Sequence, residues 1–380
     1  RFDGVRVDNL QVSPEEFAAA RAALDPAISQ ALEAEIHSVG AFHAPQLPRS
    51  EPVETAPGLC AWREWRPIQR VGLYVPGGRG PYPSSVVMLG IPATIAGCPE
   101  IVLCTPPGAD GRIPAATLVG AELAGVHRVF KVGGAQAIAA MAFGTESVPA
   151  VDKLFGAGNA YVTAAKLLAF PHCALDAPAG PSELLILADE GANPAWIAAD
   201  LLSDVEHGPD SPAVLVATSI EVARATAAEV ERQLASLPRQ AVAQQALSAW
   251  GLIVLVDTLS EAVEVADRYA AEHLEIMTAD PHAVLSRINN VGSVFLGAYA
   301  PNAAGDYATG TNHVLPTSGY ARTFAPLSVE SFGRLIQCQE LSAEGLANLL
   351  PTIQCLARTE GLEAHARAAE ARFAEPLGAE

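Results

Sequence analysis

Short runs of Val, Ile and Leu, each followed by an Ala-rich stretch with helical spacing, recur along this chain and decide what it can fold into. A strand covered by helices on both faces reads as a continuous apolar run, whereas a half-exposed strand alternates apolar and polar residues. The runs here are continuous: "RVGLYVP" (70–76), "EIVLCTP" (100–106), "RVFKVGG" (128–134) and "KLFGAG" (153–158) in the first half. In the second half "ELLILAD" (183–189), "AVLVATS" (213–219), "LIVLVDT" (252–258), "LEIMT" (274–278) and "GSVFLG" (292–297) repeat the rhythm. Strands joined by crossover helices form parallel sheets, so the expected class is α/β with two domains of similar plan. At 380 residues the chain exceeds one compact unit of ordinary size.

Between the halves, "DAPAGPSE" (176–183) carries the Pro and Gly of a connection, and residues 300–327 form a second irregular stretch of the kind that often carries function. Residues 11–35 read as a helix, and 340–373 as a small helical appendage. A net charge of −19 repels phosphate backbones and anionic membrane surfaces, so no nucleic-acid or membrane partner is expected. Every apolar stretch is interrupted before the roughly 18 residues that a membrane helix needs. Arg1-Phe2-Asp3-Gly4 is not a signal peptide, and the missing initiator Met suggests a start inside a longer product. The six cysteines lack CxxC spacing, which fits reduced structural thiols in a cytoplasmic protein.

Three patterns are candidates for chemistry. Glu272 and His273 adjoin in "YAAEHLEIMT", after apolar residues at 262, 263, 265, 266 and 269 that place the pair at the end of an amphipathic helix. A histidine there can serve the helix-end carbonyls, or it can be a general base beside a carboxylate. Asp204 and His207, three apart in "LLSDVEHGPDS", share a face if helical and supply two zinc-type donors, or simply a solvated face. Asp306 and His313 in "AAGDYATGTNHVLPT" and Glu360 and His365 in "TEGLEAHARAA" offer more donors. Their plainer readings are an Asx turn for Asp306, loop hydrogen bonds for His313 and a helix surface for His365. The third pattern is glycine-rich turns after strands: "YVPGGRGPYPSS" (74–85), "VGGAQAIAA" (132–140) and "FGAGNAYV" (155–162). Such turns let backbone N–H groups approach phosphate at a helix N-terminus, although none spells G-x-G-x-x-G.

Taken together, "VGLYVPGG", "VGGAQAIAAMAFGTESVPAVDKLFGAGNAYV", "PAGPSELLILAD", "LLSDVEHGPDS", "AEHLEI", "GDYATGTNHVLPT" and "EGLEAHA" resemble the histidinol dehydrogenase family, in order and over nearly the whole chain. That resemblance implies two similar, incomplete Rossmann-like domains with parallel sheets: an inserted NAD-side domain at 71–181, and a second domain from 1–70 and 182–325. The tail 326–380 would be exchanged between subunits of a homodimer with shared active sites. It implies oxidation of L-histidinol to a carboxylate through an aldehyde, with two NAD and one zinc ion (Zn2+) per site. Glu272 and His273 would be the acid/base pair, with His273 taking the hydroxyl proton and Glu272 activating water. Tyr74, Gln136 and Asn159 match the family's NAD contacts. Ser182, Glu360 and His273 match its substrate contacts, and Asp204, His207, Asp306 and His365 match the zinc positions, which also touch substrate. The chain departs from the family in having Asp204 where glutamine is usual, and in lacking the usual N-terminal helices. Two other expectations stand beside this one: a related dehydrogenase of another small polar alcohol such as a sulfonated diol, and a non-catalytic metal- or nucleotide-binding protein.

Overall fold

The computed structural model describes residues 4–77, 80–177 and 180–374. Gly78 and Arg79 of the first glycine turn, Pro178 and Ala179 of the central connection, and the two chain ends lie outside the described residues. Among those described, thirteen strands occur in the order β1 (Val53–Ala56), β2 (Leu59–Pro67), β3 (Arg70–Tyr74), β4 (Glu100–Thr105), β5 (Arg128–Lys131), β6 (Lys153–Phe155) and β7 (Ala174–Leu175). They continue as β8 (Leu184–Ala188), β9 (Ala213–Ala217), β10 (Gly251–Leu255), β11 (His273–Met277), β12 (Ser293–Leu296) and β13 (Gly333–Leu341). The chain divides into two compact units, one of Arg1–Leu47 with Pro67–Phe332 and one of Pro48–Arg66 with Gly333–Glu380.

The first unit holds two five-stranded parallel sheets, ordered β5-β4-β3-β6-β7 and β10-β9-β8-β11-β12. The α/β class and all nine expected strands are therefore present. The reason is visible in the second sheet. Leu184, Ile186 and Ala188 pack with Ile197 and Leu201 of the helix Pro194–Val205, while Leu185 and Leu187 face Ala262, Val263 and Ala266 of the helix Leu259–Tyr269. Successive side chains point to opposite faces, and both faces are covered, so the run must be apolar throughout. On the first sheet Val102, Cys104 and Phe130 pack with Ile138 and Met141 in the same way.

Local chemistry corrects several readings. The region 11–35 is two helices, Pro14–Ala23 and Pro26–His43, because Asp25 caps a second helix that begins at Pro26. In the second unit, β1 pairs antiparallel with β2 in a sheet ordered β1-β2-β13. The tail is thus not purely helical: β13 precedes the helices Ala343–Thr359 and Glu363–Glu370. Its burial is irregular and mostly exposed, so it has none of the apolar continuity that marked the parallel strands. Among the described residues no helix is long and apolar enough to cross a membrane.

Glu35, on the helix Pro26–His43, is 6% exposed, and its Oε1 has no hydrogen-bond partner. Burial raises its pKa from 4.5 to about 7. From pH 4.5 to about 7 the unfolded chain gives up this proton first, so the contribution falls with rising pH, by up to about 1.4 kcal/mol per unit, and is then constant. Glu35→Gln should remove that slope and gain roughly 1–3 kcal/mol at pH 8. Urea melts at pH 4 and pH 8 check this, and an unchanged pH dependence in the variant would refute it.

Candidate functional site

In the first sheet the chain runs outward from β3 through β4 to β5 and then crosses back to β6 on the other side of β3, so the loops after β3 and β6 part and open a crevice at the carboxyl ends of the strands. Tyr74 ends β3, and its hydroxyl accepts a hydrogen bond from the backbone N–H of Gly134 at 3.0 Å. Asn159 caps the helix Ala160–Ala169, its Oδ1 accepting from the N–H groups of Tyr161 and Val162 at 3.0 and 3.2 Å. A cavity of about 730 Å³ begins here, with Tyr74, Gly77, Gly158 and Asn159 in its wall. Gln136 stands on the exposed side of the helix Gly134–Phe143 and is not part of that wall.

The same cavity runs to the amino ends of the second sheet, where Ser182, His207, Glu272, His273, Asp306 and His313 line it. The helix Leu259–Tyr269 stops at Ala270, which is left-handed (φ 58°), so Glu272 follows a turn and His273 opens β11. The pair thus lies beyond the helix end, and His273 serves no helix-end carbonyl. Its Nδ1 lies 3.3 Å from the carbonyl oxygen of Glu183 and 3.5 Å from Glu272 Oε2. A carbonyl only accepts, so Nδ1 carries the proton and Nε2 keeps the lone pair. Glu272 Oε2 accepts from the Glu183 N–H at 2.9 Å.

Asp204 is in the last turn of the helix Pro194–Val205, but His207 lies past its end, so they share a turn rather than a helix face. Asp204 is fully buried, with Oδ1 accepting from the Ser182 hydroxyl at 2.9 Å and Oδ2 without a partner. Asp306 is on the short helix Asn302–Tyr307 rather than in an Asx turn, and its Oδ1 is 3.7 Å from His313 Nδ1.

Burial dominates the electrostatics. It pushes Asp204 up to about 8, helped by the charges of Asp306 and Glu183, and Asp306 up to about 6. Glu272 is raised well above the carboxylate range by burial and by Asp204. His273 is pushed down to about 3 and His313 to about 4, again by burial, with His207 opposing protonation of both. Water reaches His207 from the cavity, yet the protein around it also lowers its pKa. Acids that resist ionising beside imidazoles that resist protonation make a site short of positive charge.

That is the setting for a cation. The donors are carboxylate and imidazole, both ordinary zinc ligands, and the unsatisfied Asp204 Oδ2 asks for a positive partner. Among the described residues no three His, Cys, Asp or Glu are already drawn together tightly enough to hold a metal. Asp204, His207 and Asp306 fit the ion in kind and share one neighbourhood. Glu360 and His365 are exposed residues of the second unit, at the end of the helix Ala343–Thr359 and on the helix Glu363–Glu370. The switch-point crevice, with a helix N-terminus beside it, likewise fits a dinucleotide.

Sequence reading undervalued two residues. His313 lines the cavity, where a loop histidine was the plainer expectation. Glu183 carries only a faint signal in the sequence, a lone carboxylate opening the apolar run "ELLILAD".

The sequence pattern that describes the family "Histidinol dehydrogenase" matches residues 1–373. The histidinol dehydrogenase of Xanthomonas campestris pv. campestris (strain 8004) is 51% identical over 98% of this chain and 87% of its own length. The crystal structure of histidinol dehydrogenase from Elizabethkingia anophelis superposes with a TM-score of 0.95 at 43% identity, covering 98% of this chain and 86% of that one. Propionaldehyde dehydrogenase from Rhodopseudomonas palustris shares the fold alone, with a TM-score of 0.52 at 14% identity over 86% of this chain and 90% of that one.

Proposed function

Because the chain belongs to the histidinol dehydrogenase family, we propose that it oxidises L-histidinol to L-histidine through the aldehyde, with NAD as hydride acceptor and one zinc ion bound in the cavity. The observation that carries this reading is the buried Glu272–His273 pair on the wall of a cavity that also reaches the crevice of the first sheet. NAD, bound at that crevice, would supply a two-electron sink. Zinc, held by Asp204, His207, Asp306 and His365, would orient the amine and imidazole of the substrate. Tyr74, Asn159 and Gln136 are the proposed NAD contacts, and Ser182, Glu360 and His273 touch substrate together with the zinc-binding residues. In the first oxidation His273 accepts the hydroxyl proton on Nε2. In the second, Glu272 takes a proton from water as the water adds to the aldehyde, and His273 accepts the proton of the hydrate. A carboxylate whose pKa burial raises is a stronger proton acceptor than an ordinary one, which suits Glu272 to that exchange.

Among the described residues no cysteine lines the cavity, and burial pushes Cys98 and Cys173 up to about 11 and Cys104 to about 12. A thiolate route to the acid therefore has no candidate there, which supports attack by water. Asp210 and Asp306 line the same space, so a substrate bearing an ammonium group is favoured over an anionic sulfonate. With limiting histidinol, two NADH per substrate are expected, and the yield should collapse after chelation. One NADH per substrate, or indifference to chelation, would reject the four-electron reading or the metal.

We also infer a cytoplasmic homodimer in which Glu360 and His365 complete the partner's site. Mixing His365→Ala protein with Glu272→Ala/His273→Ala protein should restore roughly a quarter of parental activity if subunits exchange at random, since half are heterodimers with one intact site of two. No recovery despite exchange would count against sharing.

A further inference from the structure

We propose that Glu183 is the positioning residue of the catalytic pair, resting on the assignment of Glu272 and His273 given above. Every polar group of this residue is engaged, and nearly all of them hold the pair. Its N–H donates to Glu272 Oε2 at 2.9 Å. Its carbonyl accepts from the backbone N–H of His273 at 3.2 Å and stands 3.3 Å from His273 Nδ1, which sets the tautomer and leaves Nε2 as the base. Its side chain, buried with the residue only 5% exposed, turns back to the same segment. Oε1 accepts from the N–H of Glu272 at 3.3 Å and from the N–H of Ser318 at 2.9 Å, and Oε2 accepts from the Tyr269 hydroxyl at 3.4 Å.

One carboxylate thereby joins the end of the helix Leu259–Tyr269, the turn that delivers the pair and the loop beyond His313. That loop needs holding, because Ser318 is a non-glycine residue in the left-handed region (φ 57°). Neighbouring β8 and β11 are in parallel register from Leu184 and His273 onward, so the Glu183 side chain acts at the edge where the ladder ends and sheet pairing no longer fixes the backbone. What the role requires is reach: two oxygens at the distance of a three-carbon side chain.

Reach and charge are separable by substitution. Glu183→Gln keeps the length and an accepting oxygen but loses the charge, whereas Glu183→Asp keeps the charge and withdraws the oxygens by one methylene. In the zinc-loaded full-length protein, Glu183→Asp should lower kcat for histidinol about 10²-fold, with KM changed less than threefold, since misplacement of a catalytic group by about 1 Å costs that much. Glu183→Gln should stay within about fivefold of the parent. Amide hydrogen exchange gives a readout independent of turnover: Glu272 and Ser318 should exchange at least about tenfold faster in Glu183→Asp and near the parental rate in Glu183→Gln. An Asp variant as active as the Gln variant, or a loss confined to KM, overturns the proposal. A parent that does not oxidise histidinol rejects the functional assignment instead, and the exchange pattern then decides the structural role of Glu183 alone.

Discussion

His273→Asn is expected to lower kcat for histidinol oxidation by about 10²–10⁴-fold, with KM almost unchanged. Asparagine is the informative substitution because its side-chain amide N–H can still donate to the Glu183 carbonyl, where His273 Nδ1 now lies at 3.3 Å. The variant thus keeps the local hydrogen bond and loses only the acceptor at Nε2. Two neighbouring groups are already engaged: His313 Nδ1 lies 3.7 Å from Asp306 Oδ1, and Glu272 Oε2 accepts from Glu183 N–H. Steady-state NADH formation at saturating histidinol measures the effect, with urea melts to confirm that the fold persists. A loss smaller than tenfold in a folded variant would remove His273 from the proton-transfer step.

The largest effect on stability is expected from Gly156→Ala, at about 4 kcal/mol or more. Gly156 has φ +110°, a conformation that side-chain-bearing residues rarely adopt, and an added Cβ would stand 2.1 Å from the Tyr74 carbonyl oxygen. Backbone cannot yield there. Leu73 and Phe155 are partners in the β3–β6 ladder, so the two chains are already locked side by side. On the other side the Gly156 N–H donates to Asp176 Oδ2 at 2.6 Å, and its carbonyl accepts from Lys166 Nζ at 2.9 Å. Lys166 and Asp176 are themselves a buried ion pair, so moving Gly156 leaves two charges poorly satisfied. The same displacement would reshape the loop from Gly156 to Asn159 at the crevice. Urea unfolding tests the stability, and NAD titration followed by fluorescence tests the crevice. A destabilisation below about 1 kcal/mol would mean that the β3–β6 ends are far more compliant than this packing allows.

The amino-acid order alone sufficed for the layered α/β class, because a strand buried on both faces has no choice but to be apolar at every position, as Leu184–Ala188 is. It also singled out Glu272, His273, Asp204, His207, Asp306 and His313, since ionisable residues in so apolar a chain stand out. Which of these share a space is a matter of the tertiary structure. Ser182, His207 and Glu272 lie far apart along the chain, yet they precede β8, β9 and β11, which the sheet sets side by side, and so they line one cavity with Asp306 and His313. It alone gave Glu183 its place, for the bonds that define that residue span 86 to 135 positions in sequence and leave no local periodicity. The small sheet of β1, β2 and β13 was hidden for a related reason: none of its strand residues is buried, and burial is what writes a strand into a sequence.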